Sequence, residues 1–180
     1  MIIGLTGTNG AGKGTVADIL KEKGFEYHSL SDIIREETRN RGLDENRDNL
    51  IAIGNELREK EGPGTLAIRT LKKFEVQDRN FIVDSIRNPS EIEELKKNKS
   101  FKLIAVDAPI ELRYNRIKGR NRASDFVSFE KFKEQEESEL KGGETSQQLV
   151  VCMQMADFNI TNELTIDDLK KKVEDVLGGL

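Results

Sequence analysis

Short apolar runs alternate along the chain with longer stretches in which apolar positions recur every three to four residues. Apolar runs of this length, bounded by glycine and polar residues, are typical of buried strands. The predicted strands lie at 2–5, 25–28, 80–84, 101–106 and 158–161. Helical periodicity predicts the remaining elements. The predicted helices span 13–23, 32–41, 44–60, 63–75, 90–97, 109–118, 128–140, 145–155 and 165–177.

Strands that are apolar throughout and separated by helices are typical of a parallel sheet that helices cover on both faces. We therefore predict an α/β fold of three layers, α/β/α, around a five-stranded parallel sheet. The length of 180 residues fits one domain of this kind. Ligands of such sheets bind beyond the carboxyl ends of the strands, so the polar residues that follow the strands are the candidates for a site.

A glycine-rich segment follows the first strand and leads directly into the first helix. Glycines let successive backbone N–H groups point into one hollow, and the helix N-terminus adds positive potential there. Lys13 supplies a mobile cation for the outer phosphates, and Thr15 supplies a hydroxyl for a phosphate oxygen or for Mg²⁺. The order of strand, loop and helix predicts a phosphate-binding loop. Its nucleotide-binding residues are expected to be Asn9, Gly10, Ala11, Gly12, Lys13, Gly14 and Thr15.

Charged residues follow the second and third strands at the same edge of the predicted sheet. Asp32 and Arg35 come after the second strand, and Asp84 and Arg87 come after the third. We expect these groups to converge on the phosphate loop because the carboxyl ends of parallel strands share one edge. Arg35 lies among charged neighbours on a helix, so a surface ion pair is the alternative interpretation of that residue.

Composition narrows the choice of partners. The formal net charge of −4 argues against a nucleic-acid surface. Cys152 is the single cysteine, which excludes an internal disulfide, and its apolar neighbours predict a buried structural thiol. No stretch approaches the roughly 20 apolar residues of a membrane span, and the N-terminal apolar run is too short for a signal peptide. We expect a soluble, cytoplasmic protein that is a monomer or a small homo-oligomer.

These segments together resemble the adenylate-kinase group of nucleoside monophosphate kinases, and the resemblance covers most of the chain. Gly14 stands where the strict phosphate-loop pattern has Ser or Thr, and this Lys-Gly-Thr variant is the one seen in that group. Residues 28–35 are similar to the group's segment that ends in an acceptor-binding arginine. Residues 84–87 resemble its Asp-Gly-Phe-Pro-Arg with one residue fewer, and residues 116–120 resemble the Arg-Ile-x-Gly-Arg that starts the lid.

Three further matches refine the resemblance. Arg122 and Asp125 look like a shortened later lid motif. Residues 58–67, taken together with 84–87, look closest to a mostly archaeal adenylate-kinase-like family. Residues 156–162 are also similar to a segment of dephospho-coenzyme A kinases.

The resemblance implies a single P-loop kinase domain with two accessory segments. A helical acceptor-binding arm is expected over 30–76 and a short lid over 119–143, with a core made of 1–29, 77–118 and 144–180. Such an enzyme must exclude water from the transferred phosphoryl group, and closure of the arm and the lid would do so.

Phosphoryl transfer requires a protein to hold two anionic groups together and to neutralise the charge on the moving phosphoryl group. Arginine suits this task because its planar fork binds phosphate oxygens bidentately and stays charged. We expect Lys13 and Arg120 at the transferred phosphoryl group, Arg35 and Arg87 at the acceptor phosphate, Arg116 on the donor base and Arg122 in the closed lid. The expected catalytic residues are Lys13, Arg87, Arg120 and Arg122.

The remaining candidates concern the metal and the edges of the site. Asp32 and Asp84 are expected to hold the waters of Mg²⁺ beside the Thr15 hydroxyl, and Asp32 is also expected to face the acceptor. Asn162 follows the last strand and is either a contact of the donor base or a structural cap. Arg58 is either a surface charge on its helix or an acceptor contact.

The sequence therefore predicts an ATP- and Mg²⁺-dependent nucleotide kinase whose acceptor is a nucleoside monophosphate or a related small nucleotide. Dephospho-coenzyme A is the main rival acceptor. A regulatory P-loop ATPase without a small-molecule acceptor is the rival from a different class. The second set of arginines, Arg35 and Arg87, favours the kinase, because an ATPase has no use for an acceptor clamp.

Overall fold

The computed structural model describes residues 1–74, 79–119, 128–140 and 148–180. Five strands form one sheet in the order β2-β3-β1-β4-β5. They are β1 (Ile2–Gly7), β2 (Glu26–Ser29), β3 (Phe81–Asp84), β4 (Phe101–Asp107) and β5 (Phe158–Thr161). Every neighbouring pair is parallel, which confirms the predicted five-stranded parallel sheet.

Helices connect the strands. They are α1 (Lys13–Glu22), α2 (Leu30–Asn40), α3 (Arg47–Glu61), α4 (Thr65–Leu71), α5 (Pro89–Lys96), α6 (Ile110–Lys118), α7 (Phe129–Leu140), α8 (Leu149–Gln154) and α9 (Ile166–Gly178). Three of them, α2 to α4, lie between β2 and β3, where the acceptor-binding arm is predicted. The predicted lid lies partly outside the described residues. No helix in the described ranges combines the length and the apolarity that crossing a membrane requires.

Several boundaries differ from the predicted ones, and a capping contact explains one of them. The helix predicted at 44–60 begins only at Arg47, because the Asn46 side chain caps it by accepting a hydrogen bond from the backbone N–H of Asn49. The helix predicted at 32–41 begins already at Leu30, directly after β2. The helix predicted at 63–75 ends at Leu71.

Apolar side chains pack on both faces of the sheet, which produces the predicted three layers. On one face, strand residues pack against α1 and α9, and the cluster includes Ile3, Leu5, Val16, Leu20, Leu169 and Val173. On the other face they pack against α2 to α5 and α8, and this cluster includes Ile2, Val83, Ile33, Leu57, Leu66, Ile92, Leu95 and Cys152.

Cys152 is fully buried in this second cluster, in accord with the interpretation as a structural thiol. Burial, aided by the negative charge of Glu91, raises the pKa of the thiol to about 12. The side chain therefore stays protonated near neutral pH and packs as a small apolar group.

The end of β1 lies so close to β4 that a side chain is excluded there. Gly7 has a φ of 130°, and a Cβ on it would lie 1.9 Å from the backbone oxygen of Val106. The phosphate loop begins at this glycine, so the close approach of the two strands also fixes where the loop leaves the sheet.

We predict that Gly7→Ala lowers the free energy of unfolding by at least about 3 kcal/mol, because the new methyl group meets backbone rather than a movable side chain and the φ is strained for alanine. Gly14→Ala is the matched control. Gly14 lies in α1 and a Cβ there meets nothing within 4 Å, so this variant should be neutral or stabilised by up to about 1 kcal/mol. Chemical denaturation of both variants measures the difference, and equal midpoints would contradict the close approach.

Candidate functional site

The loop between β1 and α1 has a backbone suited to anions. Gly12 is the N-cap of α1, with a φ of 102° in the left-handed region. Left-handed and right-handed residues in succession turn backbone N–H groups into one concavity. The first four N–H groups of a helix also lack partners within the helix, so α1 adds donors and positive potential at the same point.

Lys13 folds back over this loop. Its Nζ donates hydrogen bonds to the backbone oxygens of Gly7, at 2.7 Å, and of Thr8, at 2.9 Å. These contacts hold the ammonium group across the loop at the start of α1, where it lines the open cavity described below.

Polar side chains from later parts of the chain hold the far side of the loop. They lie at the end of β4, on α6 and directly after β5. The Asn162 amide donates to the backbone oxygen of Ala11 at 2.8 Å, and Arg116 Nη1 reaches the same oxygen at 3.4 Å. The Thr8 hydroxyl donates to Asp107 Oδ1 at 2.5 Å. Asn162 is buried, and its amide contacts the loop itself. This contact agrees with the interpretation of Asn162 as a structural cap. A contact with the donor base stays a prediction for Asn162 and for Arg116.

Arg113 is a further support of the loop that the sequence analysis missed. Its side chain is buried and donates from Nη1 to the backbone oxygen of Asn9 at 3.3 Å and from Nε to that of Ala108 at 2.7 Å. Both terminal nitrogens also bind the carboxylate of Glu136 on α7. No sequence signal could identify this role, because Arg113 and Glu136 lie on different helices 23 residues apart.

Asp84, at the end of β3, is a buried carboxylate whose two oxygens are both engaged. The Tyr27 hydroxyl donates to Oδ2 at 2.9 Å, and the backbone N–H of Ser85 donates to Oδ1 at 2.6 Å. Burial, together with the negative charge of Asp84, raises the pKa of Tyr27. Tyr27 therefore stays a hydrogen-bond donor and holds the carboxylate in place.

Ser85 has a φ of 66° and is the non-glycine residue with a positive φ among the described residues. A left-handed conformation is strained for a residue with a side chain. Ser85 Oγ accepts a hydrogen bond from the Ser29 hydroxyl at 3.0 Å, which ties the ends of β2 and β3 together beside Asp84.

Arg35 lies on α2 and pairs with Glu45 in the loop before α3, at 2.8 Å. Arg39 binds the other oxygen of the same carboxylate. These two guanidinium groups, Arg35 first, lower the pKa of Glu45. Arg35 is partly exposed and also lines the cavity, so it takes part in an ion pair and faces the candidate site at once.

Arg58 is buried, so its interpretation as a surface charge is wrong. Only 4 % of its side chain is exposed, and its Nε and Nη2 donate to Glu91 Oε1 at 3.1 and 2.8 Å. The helical periodicity of α3 did not reveal this, because Glu91 is 33 residues away in sequence. Arg58 nevertheless lines the cavity, and its Nη1 makes no hydrogen bond to any of the residues that the structure describes.

Arg87 follows β3 and also lines the cavity. Its backbone N–H donates to Glu91 Oε2 at 2.9 Å, and its backbone oxygen accepts from the N–H of Gln148 at 2.8 Å. The main chain of Arg87 is thus held from both sides at the edge of the site.

One open cavity of about 1000 Å³ brings most of the predicted site residues together. Of those residues, it is lined by Asn9, Gly10, Gly12, Lys13, Gly14, Thr15, Asp32, Arg35, Arg58, Asp84 and Arg87. The Ala11 side chain is instead buried in the core, and its backbone oxygen is held from the far side of the loop. The predicted catalytic residues Arg120 and Arg122 lie outside the described residues, as does Asp125.

The described residues contain no group of three or more His, Cys, Asp or Glu side chains placed to hold a metal ion by themselves. This arrangement still fits Mg²⁺, which keeps several waters and is usually bound through one or two carboxylates and substrate phosphates. Thr15, Asp32 and Asp84 all line the cavity and supply a hydroxyl and two carboxylates of that kind.

Solved structures share the fold at low sequence identity. A crystal structure of TT1252 from Thermus thermophilus has a TM-score of 0.63 at 21 % identity and covers 100 % of this chain and 97 % of that one. Shikimate kinase from Aquifex aeolicus has a TM-score of 0.55 at 19 % identity, covering 99 % and 97 %. Dephospho-CoA kinase from Campylobacter jejuni has a TM-score of 0.52 at 17 % identity, covering 99 % and 96 %. These likenesses confirm a P-loop kinase-like α/β fold.

Sequence relatives are closer. A UPF0200/UPF0201 protein of Archaeoglobus fulgidus is 35 % identical over 181 residues, which are 98 % of this chain and 54 % of that protein. The chain thus spans about half the length of this relative. A UPF0200 protein of Pyrococcus abyssi is 33 % identical over 183 residues, which are 98 % of this chain and 95 % of that protein.

A family model described as an AAA domain (AAA_18) matches residues 3–142, which include the phosphate loop and the Arg87 loop. The match covers most of the chain, and the relative from Pyrococcus abyssi aligns over nearly its whole length. The chain therefore belongs to the UPF0200 family and carries the AAA-type domain that this family model describes.

Proposed function

We propose that this protein is an ATP- and Mg²⁺-dependent kinase that transfers the γ-phosphoryl group of ATP to a nucleoside monophosphate or a related small nucleotide. One observation carries the proposal. A single cavity is lined by the phosphate loop with Lys13 and, on other elements, by Arg35, Arg58 and Arg87. An ATPase needs one set of cations for one triphosphate, whereas a kinase needs a second set for the phosphate of its acceptor.

On the donor side, the triphosphate lies against the backbone of the loop and the start of α1. Lys13 binds two neutral backbone oxygens in the structure. A phosphate oxygen is a charged acceptor and forms stronger hydrogen bonds than a neutral carbonyl. Lys13 therefore exchanges its contacts with Gly7 and Thr8 for the outer phosphates when the nucleotide binds.

The metal site is formed by Thr15, Asp32 and Asp84. These residues would hold Mg²⁺, which would supply positive charge against the charge of the phosphoryl group. Tyr27 and the backbone of Ser85 orient Asp84 before any ligand arrives, so its carboxylate needs no reorganisation to accept hydrogen bonds from metal-bound water.

On the acceptor side, Arg87 and Arg58 approach the cavity from two different elements, the loop after β3 and helix α3. Planar guanidinium groups bind phosphate bidentately, so two of them fix the position and the orientation of one phosphate. Arg35 joins them from α2 if it shares its contact with Glu45. Asp32 lies beside it and faces the same ligand.

The lid roles belong to the same proposal. Arg116 holds the loop at Ala11, which places it next to the nucleotide-binding loop, and we assign it to the donor base together with Asn162. Arg120 begins the lid and neutralises the transferred phosphoryl group, and Arg122 completes the closed site. Residues 30–76 form the acceptor-binding arm and 119–143 the lid.

Two alternatives have specific support. A dephospho-CoA kinase shares the fold at a TM-score of 0.52, and dephospho-coenzyme A would offer a hydroxyl rather than a phosphate oxygen as the acceptor, beside anionic groups. The matching family model is described as an AAA domain, which supports a regulatory ATPase as the second alternative.

A screen of ATP consumption with all ribo- and deoxynucleoside monophosphates and dephospho-coenzyme A separates the proposed kinase from these two alternatives. Acceptor-dependent ADP release supports a kinase, and release without any acceptor supports the ATPase.

We predict that Lys13→Ala lowers kcat with the best acceptor of this screen by at least about a hundredfold, the effect of removing one stabiliser of transition-state charge. Lys13 binds backbone oxygens of its own loop, and circular dichroism first checks that the variant is folded. A coupled ADP-release assay on folded protein measures the loss. Turnover near that of the wild type would exclude the loop as the phosphoryl-transfer site.

We predict that Arg87→Ala separates the two halves of the cavity. It removes an acceptor contact and no donor contact, so ATP affinity should change by less than about twofold, while kcat/KM for the acceptor falls by roughly a hundredfold, or about 2.7 kcal/mol. Fluorescent-ATP binding and the coupled assay give the two values. Arg41→Ala is the matched control, since Arg41 forms ion pairs on the arm with Glu37 and Glu56 and does not line the cavity.

Two results would contradict the assignment of Arg87. Loss of ATP binding in Arg87→Ala would place the residue on the donor side. Unchanged acceptor kinetics in Arg87→Ala, or an equal loss in Arg41→Ala, would show that Arg87 is not part of an acceptor clamp. Either result would favour the regulatory ATPase.

A further inference from the structure

Glu91 connects the two arginines that approach the cavity from different elements. It lies in the first turn of α5, and 0 % of its side chain is exposed. We propose that Glu91 is a positioning residue that fixes Arg58 and Arg87 relative to each other and thereby sets where the acceptor phosphate binds. This inference rests on the proposed function, because it presumes an anionic acceptor between the two guanidinium groups.

The first half of the connection is a buried ion pair. Glu91 Oε1 accepts hydrogen bonds from Arg58 Nε at 3.1 Å and Nη2 at 2.8 Å. Two bonds to one oxygen fix the plane of the guanidinium group of Arg58, and Arg58 is one of the residues that line the cavity. Arg58 therefore reaches the cavity with its orientation already set, although it enters from α3 of the arm.

The second half is a clamp on the main chain. Glu91 Oε2 accepts from the backbone N–H of Arg87 at 2.9 Å and from that of Asn88 at 3.1 Å. On the other side of the same segment, the Thr6 hydroxyl donates to the backbone oxygen of Ile86 at 2.9 Å. The backbone from which the Arg87 side chain extends is thus held in one place.

A single carboxylate consequently decides the separation of two cations. A clamp for a phosphate works only when its donors are held in the geometry that the ligand requires, and small displacements of such groups lower the rate strongly. Glu91 also balances the charge of Arg58 in a buried place, where an unpaired guanidinium group would be strongly destabilising.

A purely structural role is the competing explanation, because Glu91 is also part of the capping box that starts α5 with Asn88. The chain contains a matched case. Helix α9 begins with a capping box of Thr165 and Asp168, and neither residue lines the cavity. Comparing the two caps separates helix stability from acceptor binding.

The test is Glu91→Gln, with Asp168→Asn as its control. The amide keeps the size of the side chain, but its nitrogen accepts no hydrogen bond, so either Arg58 or the backbone N–H groups of Arg87 and Asn88 lose their partner. We expect kcat/KM for the best acceptor of the nucleotide panel to fall by about tenfold to a hundredfold, the effect of losing hydrogen bonds to a charged group. KM for ATP should change by less than about twofold.

Amide hydrogen exchange gives a second measurement that needs no acceptor. Glu91→Gln should raise the exchange of the backbone N–H groups of Arg87 and Asn88 in the unliganded protein, while Asp168→Asn should leave both unchanged. Unchanged exchange at these two positions would show that the carboxylate does not hold the loop, and the proposal would be wrong.

A third variant covers the case in which Glu91→Gln does not fold. The double variant Arg58→Met with Glu91→Leu removes both charges together, and such replacements of a buried ion pair are often tolerated. It should retain ATP binding and lose acceptor turnover by at least as much as Glu91→Gln. Normal acceptor kinetics in Glu91→Gln or in the double variant, or an equal loss in Asp168→Asn, would overturn the role of Glu91. The proposed kinase would not be affected by these results. A wild-type protein that phosphorylates no member of the panel would overturn the proposed kinase first, and this inference with it.

Discussion

The position of every group in the site depends on the central strand β1 and its close contact with β4. β1 pairs with β3 over Ile2–Gly4 and with β4 over Ile2–Gly7, so the pairing with β4 continues to the end of β1. At that end a Cβ on Gly7 would meet the backbone oxygen of Val106 at 1.9 Å. The phosphate loop leaves the sheet there, and α1, which starts at Lys13, packs back on the same strands. The carboxyl ends of β2 and β3 lie next to this point, which brings Asp84 and Arg87 to the loop without any special local sequence.

Two ion pairs with little exposed surface hold backbone on two sides of the cavity. Arg113, paired with Glu136, holds the backbone of Asn9 in the phosphate loop. Glu91, paired with Arg58, holds the backbone of the Arg87 loop. A buried ion pair adds little net stability compared with well-packed apolar residues, yet breaking one costs about 3–5 kcal/mol. Such pairs are therefore poor devices for stability alone. Both are placed where they fix backbone next to the cavity, which gives them a use in positioning that apolar side chains could not supply.

Local signals predicted the fold and the loop, and they failed where partners lie far apart in sequence. Apolar runs predicted the strands and the parallel sheet, and glycine spacing predicted the phosphate loop. Both signals lie in consecutive residues, so the sequence alone reveals them. The burial of Arg58 did not follow, since its helix reads as charged and its partner Glu91 is 33 residues away. The same holds for Arg113. The predicted start of α3 was wrong for a smaller reason, because the Asn46 side chain caps the helix and it begins three residues later than periodicity suggested.

The charge balance of the cavity bears on which form of nucleotide it accepts. Among the described residues, its lining contains four cations and four carboxylates. The cations are Lys13, Arg35, Arg58 and Arg87, and the carboxylates are Asp18, Asp32, Glu45 and Asp84. In the proposed function, free ATP would meet repulsion from Asp32 and Asp84 beside the loop, and Mg²⁺ held by these carboxylates would offset that charge. We therefore expect the metal–nucleotide complex, rather than free ATP, to be the donor.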